Sequence, residues 1–376
     1  MSRLKVEMNH TQYHSFRPGE PWLDDHGVPI NAHGGGVLFH DGVYYWFGEH
    51  KIAGEAGNAA HVGVHVYSST DLYHWNDKGI ALAVSDDPAS PITRGCILER
   101  PKVIFNPRTK KFVMWFHLEP KAAFDYSGAL SGVAVADHVT GPFGFVAGFR
   151  PNAGVWPENV PAESQRELSP EEAAYVARLD CPGGPLPYYP KHLLFRRDFS
   201  GGQMARDQTL FVDDDGAAYH LYASEDNGTL HLSRLSGDYL SPAGKFIRVL
   251  PGRFNEAPAL MKWHGRYFLF ASGCTGWAAN QARLLAADSL WGNWEELGCP
   301  CLGPGEQVTN TFNSQSTFIL PVPGRTDAFI FMADRWNPAN AMDGRYVWLP
   351  IEFRHNVPVI AWRDEWDLSF FDQANG

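Results

Sequence analysis

One phrase recurs along this chain and restricts its folds more than any other feature. It consists of four or five β-prone residues, a polar turn carrying Asp, Asn or Gly, and a second strand rich in Phe, Tyr or Trp. The copies read GGGVLFHDGVYYWFGEH from Gly34, ERPKVIFNPRTKKFVMWFHLE from Glu99, RDQTLFVDDDGAAYHLYASED from Arg206, EAPALMKWHGRYFLFASGCTGW from Glu256 and SQSTFILPVPGRTDAFIFMADRW from Ser314. Segments such as HVGVHVYSSTDLYHW and SGVAVADHVTGPF then supply a third strand of smaller or polar residues. First strands begin near residues 34, 99, 207, 256 and 315, at intervals of 65, 108, 49 and 59. The long interval holds a Pro-rich, turn-rich stretch from about 151 to 203. Within it SPEEAAYVARL predicts a short helix, with Ser169 as N-cap, Pro170 at its first position and Glu172 closing a capping box. Removing roughly 50 residues restores the common spacing, so the stretch is an insertion between units two and three. Five units of about four strands predict one all-β domain over residues 1–376, a five-bladed β-propeller in preference to a β-sandwich.

Composition narrows the partners. A formal net charge of −11 with no Lys/Arg cluster argues against nucleic acid or an anionic membrane, and favours a neutral, polar ligand. The five cysteines, at 96, 181, 274, 299 and 301, form no CxxC pair, so they are expected as mostly buried thiols in a reducing compartment, with Cys299 and Cys301 packing and binding no metal. The N-terminal residues lack the apolar run of a signal peptide, and no stretch approaches 18 apolar residues; a soluble, cytoplasmic protein is expected. Sixteen histidines without an HExxH motif give no zinc signal, DDDG at 213–216 is a hairpin turn, and no phosphate-binding loop, dinucleotide fingerprint or GxSxG elbow occurs. Neither cofactor nor metal is expected.

In a propeller the innermost strand of every blade lines one axial funnel, so residues at the starts of those strands converge. Here they are Gly34, Glu99 with Arg100, Arg206 with Asp207, Glu256 and Gln315. Three carboxylates in one funnel cannot all ionise cheaply, so at least one should have a raised pKa, which is how a general acid is made. Glycoside hydrolysis by inversion needs such an acid and a second group that activates water. The competing expectation is a set of structural ion pairs, Glu99 with Arg100 and Arg206 with Asp207.

LERPKVIFN, ASEDNGTL, NEAPALMK, SGCTGW and MADRWNP occur in this order, and with the blade-start acids they resemble glycoside hydrolase family 43, most closely its exo-β-1,3-galactanase branch. The resemblance implies a five-bladed propeller that inverts configuration while releasing terminal β-galactosyl units from β-1,3-linked chains. Related activities, α-L-arabinofuranosidase or galactofuranosidase, and a catalytically silent sugar-binding propeller are the alternatives. It also implies Glu256 as general acid and Asp207 as the residue that orients it and tunes its pKa. The first-blade aspartate of the wider family is missing: its position falls at Gly34. In the branch a fifth-blade glutamine, here Gln315, is proposed for the base role. A neutral amide is a poor proton acceptor, so Glu99 is the alternative, although with Arg100 it also fits a sugar contact at the funnel floor. Further sugar-binding candidates are Glu49, Tyr126, Thr275, Trp277 and Arg335, since rings stack on sugar C–H faces while hydroxyls pair with charged groups.

Overall fold

A computed structural model of the chain describes residues 13–123, 126–179 and 193–375. Five sheets, antiparallel but for one outer edge strand, follow one another along the described residues. Their innermost strands are His33–His40, Ile97–Asn106, Gln208–Val212, Glu256–Trp263 and Gln315–Pro321, close to the starts read from the repeat. Four sheets have four strands, whereas the fifth gains a short outermost strand, Cys301–Leu302, parallel to Val357–Ala361.

Each second strand is buried on both faces, which explains its long aromatic run. In blade 1, Tyr44 and Trp46 enter the core shared with blade 5, while Phe47 enters the core shared with blade 2. In blade 2, Val113 and Trp115 face blade 3, while Phe112, Met114 and Phe116 face blade 1. The same period-2 alternation puts Tyr267 and Leu269 of blade 4 toward blade 3, and Phe268 and Phe270 toward blade 5. Five apolar wedges between successive blades thus replace a single central core. The ring closes where Phe16 exchanges backbone hydrogen bonds of 2.7 and 3.1 Å with Trp366, and where Trp22 packs on Trp46 of blade 1 and Trp348 of blade 5.

The insertion separates the last strand of blade 2, which ends at Phe149, from Gln208. Its helix Pro170–Val176 has the expected Ser169–Glu172 capping box, and a second short helix spans Leu194–Arg197. It docks on blade 3: the Asn152 amide donates to the Tyr222 and Ser233 hydroxyls, and the Asn159 side chain bridges both backbone groups of Arg248. Cys96 and Cys301 are buried free thiols and Cys274 and Cys299 half-buried ones, while Cys181 lies outside the described residues.

Candidate active site

The inner strands of blades 1, 2, 4 and 5 break register at the funnel end, between His33 and Gly36, Glu99 and Lys102, Glu256 and Ala259, and Ser316 and Phe318. Gly34, Arg100 and Ala257 sit there at φ of 61°, 55° and 55°, left-handed values that mark bulges. Residues that still pair before the break are His33, Glu99 and Glu256, and in blade 5 Gln315 and Ser316, so blade 1 places His33 at the register of the acids, with its buried ring stacked on Tyr346 and off the funnel, and Gly34 corresponds to Arg100 and Ala257. Their cross-strand partners, Glu49, His117, Ser272 and Asp334, form a second ring behind them.

A cavity of about 440 Å³ lies over these strand ends. Glu49, Glu99, Arg100, Tyr126, Asp207, Glu256, Trp277 and Gln315 all line it, together with Lys51, His117, Arg206, Asn227 and Trp336. Two expected residues point elsewhere. Thr275 is exposed with its hydroxyl on the Ala278 carbonyl, because the Gly273–Gly276 turn carries it over the rim into a neighbouring hollow. Arg335 reaches away from the axis to the Phe312 carbonyl and the face of Trp362, and its neighbour Trp336 takes the funnel position.

The carboxyl groups differ sharply. Burial raises the pKa of Glu256 to about 8, with the Asp207 charge adding to the effect and Arg100 opposing it; the Asn227 amide donates to its Oε1 at 2.7 Å. Asp207 accepts from the Ala257 N–H at 3.0 Å and pairs with Arg100 at 3.1 Å. Thus Arg100 pairs with Asp207 and not with its neighbour Glu99, while Arg206 donates to the Tyr126 carbonyl and not to Asp207. Burial works against the charge of Glu99, yet the hydrogen bond and charge of His117, with help from Lys51 and Tyr126, hold its pKa down at about 2. His117 lies between Glu99, 3.0 Å from Nδ1, and Glu119, 2.9 Å from Nε2; despite its burial these bonds raise its pKa to about 9. Burial raises Glu49, although Lys51 at 2.6 Å opposes the shift.

Gln315 is fully engaged through its carbonyl. Its Oε1 accepts from Arg100 at 2.5 Å and from the Trp336 indole at 3.0 Å, and its Nε2 donates to Ser272 at 2.9 Å. Two donors fill both lone pairs of Oε1 and fix which end of the amide is which. One N–H is left to face the cavity. Below Arg100 the axis is filled: Lys102 donates to the Gly34 and Arg100 carbonyls, and Gln208 to those of Arg100 and Trp115. Burial, with the nearby Arg100 charge, lowers the Lys102 pKa to about 7.

Fold and funnel define a class of protein: a propeller whose blind axial pocket holds Glu256 with a strongly raised pKa across from Glu99 with a lowered one, the equipment of an acid-assisted hydrolase of neutral substrates. A family profile described as glycosyl hydrolases family 43 matches residues 160–302. A family 43 β-1,3-galactosidase solved with galactodeoxynojirimycin is 48% identical, with a TM-score of 0.87 over 94% of this chain and 100% of that one. An exo-β-1,3-galactanase from Phanerochaete chrysosporium, solved with β-1,3-galactotriose, is 30% identical, with a TM-score of 0.74 over 95% of this chain and 68% of that one. One from Clostridium thermocellum is 31% identical, with a TM-score of 0.73 over 93% and 66%. No curated protein matches the chain. The chain belongs to glycoside hydrolase family 43.

Proposed function

We propose that this chain is an exo-acting, inverting glycosidase that releases terminal galactose from β-1,3-linked galacto-oligosaccharides or galactan. One observation carries the reading: Glu256 holds its proton to about pH 8 beside Asp207 in a pocket whose lower end is plugged. A blind pocket accepts a chain end and not a running chain. The similar proteins named for β-1,3-galactose linkages support that sugar over arabinofuranose or galactofuranose. The separated proton affinities of the carboxyl groups favour catalysis over silent binding.

In this mechanism Glu256 transfers its proton to the leaving glycosidic oxygen as the C1–O bond breaks. Water forms the new bond to C1 from the opposite face. Gln315 cannot take the water's proton through a carbonyl that already accepts two hydrogen bonds, and its free N–H suits it to orient the sugar or the water. The proton therefore goes to Glu99, whose oxygens each accept one hydrogen bond and keep a lone pair. A carboxylate held near pKa 2 is a weak base, and placement must supply the difference. The test is product analysis by NMR on β-1,3-galactobiose. α-Galactose should appear first; initial β-galactose would overturn inversion, and no release from β-1,3-linked substrates would overturn the specificity.

A further inference from the structure

The loop that touches Glu256 is held in an unfavourable conformation by the insertion. Between the blade 3 strands Ala218–Ser224 and Thr229–Leu235, three consecutive non-glycine residues, Glu225, Asp226 and Asn227, have φ of 53°, 55° and 65°. Asp and Asn tolerate that region better than other L-residues, but as single residues; a run of three that begins with a glutamate persists only where the surroundings over-determine it. The last of the three carries the amide 2.7 Å from Oε1 of Glu256.

Two clamps hold this loop. The buried Glu225 carboxylate accepts from Arg248 Nε at 2.6 Å and Nη2 at 2.7 Å, and pairs with His231 at 2.8 Å. Asp226 accepts from Arg197 Nη1 at 2.7 Å, while the other edge of that guanidinium, Nε and Nη2, forks onto Asp198 at 2.8 and 2.7 Å. Both clamps lean on the insertion. Arg197 belongs to its helix Leu194–Arg197, and the Arg248 guanidinium lies 4.6 Å from the ring centre of Phe195 in that helix. The helix is itself tied down by Arg196, which bonds Glu172 at 2.8 Å and the carbonyls of Arg166 and Glu167 at 2.7 Å each.

We infer that the insertion between blades 2 and 3 positions the acid, with Arg197 acting through Asp226 to hold Asn227 against Glu256. With Cys274 also hydrogen-bonded to the carboxyl, the N–H on Oε1 fixes its plane, and Oε2 carries the proton toward the leaving oxygen in this scheme. Arg197 and Asp226 touch no substrate in this scheme; they are positioning residues, and the inference rests on Glu256 being the acid.

The test compares two substrates: β-1,3-galactobiose, whose leaving group needs a proton, and β-galactosyl fluoride, whose leaving group needs far less help. Glu256→Gln comes first, since selective loss on the disaccharide establishes the acid. Arg197→Ala and the milder Asp226→Asn should then lower kcat on the disaccharide by about ten- to a hundred-fold, the scale of a misplaced catalytic group. KM should change little, the fluoride should lose far less, and Arg197→Lys should regain part of the disaccharide rate. Equal losses on both substrates, or unchanged kcat in folded Asp226→Asn, would overturn the inference while leaving the acid assignment intact. Equal losses in Glu256→Gln would instead bring down the assignment on which it rests.

Discussion

The blade 2 wall and the blade 4 wall of the funnel each present a glutamate one residue before a bulge, and the two hold protons in opposite ways. Glu99 faces a protonated histidine and a phenol, both donors, and is ionised down to about pH 2. Glu256 has a neutral amide and the Asp207 charge for company and stays protonated to about pH 8. Backbone placement is the same, since both residues are the last to pair before the break in register. What differs is the residue one strand out: His117 opposite Glu99, Ser272 opposite Glu256. The repeat therefore delivers carboxyl groups to the axis; His117 in the second ring keeps Glu99 an anion, while burial and the neighbouring Asp207 charge make Glu256 the acid.

The largest expected effects come from removing either glutamate. Glu256→Gln should lower kcat on β-1,3-galactobiose by about 10²–10⁴, the range of general acid catalysis. Glu99→Ala should be comparably impaired but recover turnover with added azide, yielding α-galactosyl azide by attack on the face the water used. A Glu99→Ala variant with near-normal rates, or one deaf to azide, would remove the contrast between the walls.

His117→Gln probes what makes the blade 2 wall an anion. Without the imidazolium, burial would prevail and the Glu99 pKa would rise from about 2, so the acid limb of kcat/KM should move to higher pH. Stability gives an independent readout. Because the His117 pKa is raised to about 9, its contribution is full below its unfolded value near 6.5 and is lost as pH rises through about 9. The Tm gap between wild type and His117→Gln should therefore narrow above pH 9; a gap constant from pH 6 to 10 would mean that His117 titrates elsewhere.

A smaller shift is expected for Asp207→Asn. Activity should fall as pH rises through about 8, where Glu256 ionises, and removing the Asp207 charge should move that alkaline limb to lower pH. Burial, the larger cause, remains, so the limb should stay well above an ordinary glutamate. The smallest effect belongs to Trp277, a rim ring that is 47% exposed and edge-on to Trp336 at 6.1 Å. Trp277→Ala should raise KM by roughly two- to ten-fold, in keeping with about 0.5–1.5 kcal/mol for a ring contact, with kcat nearly kept.

The repeat made the blades, the insertion and the inner-strand acids legible, because period-2 burial and hairpin turns are written locally. Glu256, Asp207, Glu99 and Gln315 could be read from strand starts for that reason. His117, Ser272, Asp334 and Asn227 could not. Finding the first three required counting pairs back from each hairpin, and a bulge shifts that count by a residue. Asn227 reaches the funnel through a left-handed turn of three residues, which no periodicity in the sequence announces. Thr275 and Arg335 show the converse: motif position says little about direction where a glycine turn or a strand end sets the side chain's heading.

Gly34 has one more consequence. A Cβ built on it would lie 2.2 Å from Oε1 of Glu49, and the residue's φ of 61° disfavours any side chain. A side chain cannot simply be added there. Glu49 would have to retreat first, giving up its pairing with Lys51 and its hydrogen bond from the Arg100 N–H. The space beside Gly34 therefore belongs to Glu49, and the two positions can change only together.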